Sequence, residues 1–332
     1  MSILVVGGAG YIGSHAVYQL VDQGRDVVVI DNLETGHEAA IHPKARFYQG
    51  DIRDKAFLAR VFAAERIEQV IHFAANSLVG ESMTDPLKYY ANNVYGTQCL
   101  LEAMVEHGTA SIVFSSTAAT YGDQTVMPIT EAAATNPTST YGETKLAMEK
   151  MMHWVETAHG IRFVALRYFN VAGARQGGVI GEDHRPETHL IPLILEVANG
   201  KREEIKVFGD DYETADGTCI RDYIHVEDLI DAHVLALDYL HDGGGSDVFN
   251  LGSNQGFSVH EMIQVARDVT GHAIPSRVQS RRSGDPASLI ASSEKARRVL
   301  GWKPTRTDVT RIIEDAWAWH QANPSGYDEV LI

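Results

Sequence analysis

Tyr141 and Lys145 stand four residues apart in the stretch T-Y-G-E-T-K that runs from Thr140 to Lys145. On a helix that spacing puts both side chains on one face. With Thr140 as N-cap and Glu143 as the N3 member of a capping box, the pair is predicted to lie in the helix's opening turns. Tyr141, Lys145, Met148, Met152 and Val155 keep helical spacing, so this face is expected to turn toward protein. A phenol titrates near about 10, burial raises it, and adjacent positive charge lowers it toward the range where it serves as a general base. The competing reading is structural, a half-buried tyrosine beside a lysine whose stem runs along apolar surface.

A base of this kind needs an oxidant, and the N-terminus reads as the holder of one. Ile3 to Val6 is a short apolar run followed by G-G-A-G-Y-I-G, in which Gly7, Gly10 and Gly13 are evenly spaced. Ile12, Ala16 and Leu20 then recur as a helix stripe, and Gly24 ends it. Strand, glycine turn and helix in that order bring backbone N–H groups to a pyrophosphate. Asp26 to Ile30 is a second strand that ends in Asp31, placed to hold ribose hydroxyls and to repel a 2′-phosphate, which favours NAD over NADP.

Strands and helices go on alternating. Strand 45–49, helix 54–64, strand 69–73, helix 87–107 and strand 111–114 follow one another, which implies an α/β fold, a Rossmann-type doubly wound parallel sheet. Asp51-Ile52, Phe73-Ala74-Ala75 and Ser115-Ser116-Thr117 then fall at the carboxyl ends of strands, on the ligand side. That would bring the Thr117 hydroxyl to the Tyr141 phenol.

The chain has 332 residues, enough for two lobes. We expect a dinucleotide-binding domain over 1–172 and about 222–250, and a smaller α/β substrate-binding domain over 173–221 and 251–332. A formal net charge of -16 argues against nucleic acid or an anionic membrane as partner. Cys99 and Cys219 have neither metal-site nor disulfide-framework spacing, and the apolar N-terminus runs straight into glycines with no leader pattern, so a cytoplasmic setting is expected. The fifteen histidines contain no H-E-x-x-H, and no metal site is expected.

The glycine turn, Asp31, Asn92, S-S-T at 115–117 and Y-G-E-T-K at 141–145 together resemble the extended short-chain dehydrogenase/reductase family. G-D-I-R at 50–53, Y-G-D-Q at 121–124, L-R-Y-F-N at 166–170, D-G-T-C-I-R-D-Y-I-H-V at 216–226 and N-L-G at 250–252 are similar to its UDP-sugar 4-epimerases. The resemblance covers essentially the whole chain. It implies NAD contacts at Gly7, Gly10, Tyr11, Ile12, Gly13, Asp31, Asn32, Asp51, Ile52, Phe73, Ala74, Ala75, Asn92, Tyr141, Lys145 and Tyr168. It implies UDP-sugar contacts at Thr117, Tyr141, Asn170, His189, Leu190, Lys206, Phe208, Arg221, Arg282, Asp285 and Leu289. Arg221 and Arg282 suit a diphosphate, Phe208 a uracil and Asp285 a ribose, although Arg221 could instead pair with its neighbour Asp222.

The activity so implied interconverts UDP-galactose and UDP-glucose. Tyr141 takes the proton of the sugar 4-hydroxyl, Thr117 hydrogen-bonds the same oxygen, and NAD accepts and returns the C4 hydride around a turnover of the 4-keto sugar. A 4,6-dehydratase is similar to a pattern with Asp-Glu after the Ser/Thr, where this chain has Ala118-Ala119. An NAD-sensing protein without catalysis is the other alternative, against which both Tyr141 and Lys145 are retained. Leu289 stands where the family varies between tyrosine and smaller residues, which suggests activity on N-acetylated UDP-sugars as well. Leu100, Leu101, Met104, Met148, Met151 and Met152 give two helices more than one apolar side, and the resemblance implies a homodimer joined there.

Overall fold

The computed structural model describes residues 2–282 and 285–328; residues 283, 284 and 329–332 of the expected second lobe lie outside the described residues. Apolar runs become parallel strands here because helices cover them on both faces. β1 (Ser2–Val6) is buried along its whole length. Leu4, Val5 and Val6 are wholly removed from water, each worth about 1.5–3 kcal/mol of hydrophobic stabilisation.

The glycine turn leads into α1 (Tyr11–Asp22), with Gly24 at φ 74° just past its C-cap Gln23. Then come β2 (Asp26–Asp31), β3 (Arg46–Gln49), α2 (Lys55–Ala64) and β4 (Ile67–His72). Asp54 caps α2 by accepting the Phe57 N–H. Two short helices follow, α3 (Val79–Ser82) and α4 (Pro86–Tyr89), and α5 (Gly96–His107) is reached through a π-helical turn at Tyr90–Tyr95. The single helix predicted over 87–107 is thus widened in its first third, which buries Asn92 and Asn93. Such turns concentrate at functional sites.

β5 (Ser111–Thr117) is longer than predicted, so S-S-T is its buried end rather than a loop beyond it. α6 (Thr140–His159) carries Tyr141 and Lys145. Its N-cap is Ser139, whose hydroxyl accepts the Gly142 N–H at 3.2 Å. The predicted capping box is therefore wrong by one residue: Thr140 has already entered the helix, and Glu143 lies too far along to reach back.

The chain continues through β6 (Arg162–Tyr168), β7 (Asn170–Ala172), α7 (Leu190–Ala198), β8 (Ile205–Phe208), β9 (Ile220–Arg221) and β10 (Tyr223–His225). α8 (Val226–His241) and β11 (Asp247–Leu251) return to the main sheet. The remainder is β12 (Phe257–Ser258), α9 (Val259–Thr270), β13 (Ser276–Gln279), β14 (Ser288–Leu289), α10 (Glu294–Val299) and α11 (Val309–Ala322).

Seven strands form one sheet in the order β11-β6-β5-β4-β1-β2-β3, and every pairing in it is parallel. The order reverses between β4 and β1, and doubly wound sheets bind ligands outside the carboxyl ends of their strands at that point. A separate core joins α7, α9 and α11 through Leu195, Met262, Ile313 and Trp317. The chain after residue 251 serves both cores, because Leu300 and Trp302 pack with Leu229 and Phe249 beside the main sheet.

Leu100, Leu101, Met104, Met148 and Met152, expected at a face between subunits, are buried in this chain's own core. The apolar groups that α5 and α6 leave wholly or partly outside include Val105, Met151, Val155 and Trp154, with Trp154 68% exposed. Cys99 and Cys219 are buried and unpaired. No helix among the described residues is long and apolar enough to cross a membrane.

Candidate active site

One cleft of about 1440 Å³ runs along the carboxyl ends of the strands and into the second core. At its floor the glycine turn is packed too tightly for a side chain at Gly7 or Gly13. A Cβ on Gly13 would sit 2.0 Å from the Gly7 carbonyl oxygen, and one on Gly7, at φ 81°, would sit 2.6 Å from the Ala74 nitrogen. Gly10 is the N-cap of α1 and offers no side-chain cap, so the helix's first N–H groups stay free for an anion. Asp31 ends β2 in the cleft wall, where its carboxylate accepts the N–H groups of Ala9 at 3.0 Å and Leu33 at 2.8 Å. A carboxylate has about four acceptor sites, so two remain for ribose hydroxyls. These features fit a dinucleotide.

Tyr11, Ile12, Asn32, Ile52, Phe73, Ala74, Ala75, Asn92 and Tyr168 line the same cleft. Asp51 does not. Its carboxylate forks onto Arg53 at 2.8 and 2.5 Å, and that guanidinium holds it below the usual carboxylate range, leaving Gly50 and Ile52 to form the wall. The Tyr11 hydroxyl is likewise committed, donating to the Gly173 carbonyl at 2.7 Å and tying α1 to the chain beyond β7.

Tyr141 and Lys145 come together with Thr117 as their spacing predicts, but their electrostatics differ from expectation. Burial pushes the Tyr141 phenol up to about 12, opposed by a hydrogen bond with the Thr117 hydroxyl. Burial also pushes Lys145 down to about 7, opposed by Glu149. The Lys145 ammonium is anchored elsewhere, donating to the Ser115 carbonyl at 2.8 Å and sitting 4.8 Å from the Phe114 ring centre and 5.9 Å from that of Tyr141. The expected lowering of the phenol draws on two positive charges, Lys145 and a nicotinamide ring, and in the protein's own field burial is the larger influence on Tyr141.

Residues that no motif announced support the pair. Ser82 accepts the Tyr141 N–H at 3.1 Å. Asn93, turned inward by the π-turn, accepts the Asn76 N–H at 2.8 Å and donates to the Asn76 carbonyl and the Thr144 hydroxyl. One turn past Lys145, Glu149 accepts from both arms of Arg167, at 2.9 and 2.5 Å, and from Ser116, all of them buried. Ser115 meets the Tyr168 hydroxyl. The Asn92-Asn93 doublet was visible in sequence, but nothing local marks the partners of either residue.

At the other end of the cleft lie Asn170, His189, Leu190, Lys206, Phe208, Arg221, Arg282, Asp285 and Leu289. Arg221 pairs with Asp285 at 2.6 Å and donates to the Pro286 carbonyl, not with Asp222. Asp222 instead accepts from Ser253 and from the Ala291 N–H, and burial raises it to about 6. The Arg282 guanidinium stacks on Phe208 at 4.1 Å, while Lys206 is exposed beside them. Cationic groups and an aromatic face thus share one end of the cleft, as a nucleoside diphosphate needs. His189 faces Glu182 and Glu187 through its Nδ1 at 2.9 Å each, in a group that also includes His184.

A parallel doubly wound sheet with a glycine turn at its switch point, and a Tyr-Lys-Thr centre at the strand ends, defines a dinucleotide-dependent enzyme of the Rossmann class. Residues 3–252 match the NAD dependent epimerase/dehydratase family, and the chain belongs to it. It is 59% identical to the UDP-glucose 4-epimerase of Lacticaseibacillus casei over 99% of each chain. A crystal structure of a UDP-glucose 4-epimerase, 63% identical, superposes with a TM-score of 0.98 over 99% of this chain and 100% of that one. The Bifidobacterium longum UDP-glucose 4-epimerase in complex with NAD+ and UDP, 40% identical, gives 0.93 over 98% and 100%.

Proposed function

We infer that the chain interconverts UDP-galactose and UDP-glucose by transient oxidation at the sugar C4 with tightly held NAD. The observation that carries this is the meeting, in a single cleft, of the glycine turn, the Thr117-Tyr141-Lys145 centre and the Arg221/Arg282/Phe208 end. Gly7, Gly10, Gly13 and Asp31 would hold NAD, with Ile52, Phe73 and Asn92 along its length. Bound there, NAD supplies reversible two-electron oxidation of the sugar and a positive charge.

Tyr141 removes the proton from the 4-hydroxyl and returns it, and Thr117 hydrogen-bonds the same oxygen. Lys145 orders the site by gripping the Ser115 carbonyl. The phenol stands at about 12 in the protein's own field, so bringing it to about 7, where general-base catalysis is efficient, requires lowering it by about five units, roughly 7 kcal/mol, through the positive charges of the cofactor and of Lys145 together. Arg221, Arg282 and Lys206 bind the diphosphate, Phe208 the uracil, Asp285 the ribose, and Asn170 and Leu190 flank the sugar.

The family's dehydratase branch is disfavoured because Ala118 and Ala119, next to Thr117 in the cleft wall, carry no acid for elimination. Purified protein should turn over UDP-galactose with no NAD added. Bound NAD with complete inactivity would instead favour a sensor. In the same assay Leu289, half-buried in the cleft wall, should admit some UDP-N-acetylglucosamine, and no turnover at millimolar substrate would refute that. Free buried cysteines support a reducing cytoplasm. A homodimer would use the exposed Val105 and Trp154 along α5 and α6, and light scattering at the monomer mass would overturn it.

A further inference from the structure

We propose that Glu182, His184, Glu187 and His189 form a binding site for one divalent transition-metal ion of the zinc class, in the cleft wall ahead of α7. One ligand atom from each residue lies within 4.8 Å of all the others. The histidine Nδ1 to carboxylate distances are 3.1 Å (His184–Glu182), 3.5 Å (His184–Glu187) and 2.9 Å from His189 to each glutamate. Tetrahedral zinc with N and O bonds of about 2.0–2.1 Å has ligand-to-ligand edges of about 3.3 Å. The histidine-to-carboxylate contacts thus bracket the edge length the ion imposes, and the remaining separations lie within 4.8 Å, close enough for small side-chain adjustments to close the shell.

Salt bridging alone accounts poorly for this shape. An imidazole Nδ1 has one proton at most, yet each of these nitrogens faces oxygens of both glutamates. The buried His184 Nδ1 has no partner in hydrogen-bond geometry, although a carboxylate oxygen lies 3.1 Å away. Glu182 and Glu187 have side chains only 6% and 7% exposed, and among the described residues neither pairs with a lysine or arginine. The two buried carboxylates face only the two imidazoles, and a divalent ion that displaced the imidazole protons would neutralise both. Two imidazoles with two carboxylates suit zinc-class ions, whereas calcium and magnesium require more oxygens.

The surroundings hold the four groups in place. The Glu187 carboxylate accepts the N–H groups of Thr188 and His189 at 2.6 and 2.7 Å, and the Glu182 carbonyl accepts from Trp319 at 3.2 Å. Between the ligands, Asp183 accepts the Tyr327 N–H, and its carbonyl meets His37 at 3.0 Å. The His184 ring lies 6.3 Å edge-on from Tyr11 of α1. A bound ion would lock this strap between the cofactor turn and the helix that carries Leu190. The spacing E-x-H-x-x-E-x-H is that of a loop and differs from the helical H-E-x-x-H pattern, so the expectation of no metal site did not take it into account.

The test is metal binding by the full-length protein, purified without a metal-affinity step, stripped with EDTA and titrated with Co2+ alone. We expect visible d–d absorption that saturates at one ion per chain and is displaced by Zn2+. His184→Ala and Glu187→Gln should each weaken binding at least about tenfold while leaving the circular dichroism unchanged, and the stripped protein should lose NAD faster on gel filtration. Absence of d–d bands, a thiolate charge-transfer band, or unchanged binding in both variants would overturn the proposal and leave two imidazolium–carboxylate pairs. None of these readouts depends on epimerase turnover.

Discussion

At the scale of single residues, the reactive pair is shaped more by burial than by mutual charge. Tyr141 stands at about 12 and Lys145 at about 7, and in both the largest cause is desolvation. A free lysine titrates near about 10.4, so between there and 7 the unfolded chain holds a proton that the folded one lacks. In that window Lys145 makes stability rise with pH. The phenol is needed for proton transfer and not for packing, so Tyr141→Phe should lose nearly all epimerase activity, about a thousandfold or more. It should still bind NAD by absorbance. A wild-type rate in that variant would remove Tyr141 as the base.

At the scale of elements, the site is held by contacts between neighbours in space. α6 is fixed to β5 and β6 by Glu149, which bridges Ser116 and Arg167. Arg167→Met would leave a buried carboxylate unpaired, at a cost of about 3–5 kcal/mol, and replacing Glu149 by Leu as well should recover most of it. Urea denaturation of both variants checks this, and equal stability of the single variant and wild type would refute it. In the glycine turn, Gly13→Ala would force its methyl into the Gly7 carbonyl, 2.0 Å away, with backbone on both sides. The purified variant should hold less than about a tenth of the wild-type NAD, because the first turn of α1 must shift from the pyrophosphate position.

Across the whole molecule, three buried histidines set the acid limit. Burial holds His15 and His72 down at about 3 and His233 at about 4. Unfolded, they titrate near about 6.5, so below that pH the unfolded chain binds protons that the folded one refuses. Stability therefore falls as the pH drops from about 6.5 toward 4, by about 1.4 kcal/mol per unit for each histidine. Calorimetry should show a steep loss of Tm across that range, shallower in His233→Gln. A Tm independent of pH there would contradict the assignment.

Periodicity and turn chemistry, both local, were legible in the chain itself. β1, the glycine turn, α1, Asp31 and the Tyr141–Lys145 face follow from the order of apolar, glycine and polar residues, since burial on two faces and helical spacing act within a few residues. Arg221, Arg282 and Leu289, which the position-by-position resemblance singled out, line the cleft. Only the tertiary structure decided the partners. It paired Arg221 with Asp285 in place of Asp222, turned Asp51 toward Arg53, moved the N-cap to Ser139 and buried Met104, Met148 and Met152 of α5 and α6 in their own core. It also brought ligand atoms of Glu182, His184, Glu187 and His189 within 4.8 Å of one another. Desolvation, ion pairing and ligand convergence depend on which segments fold against each other, and a pattern along the chain does not carry that distance.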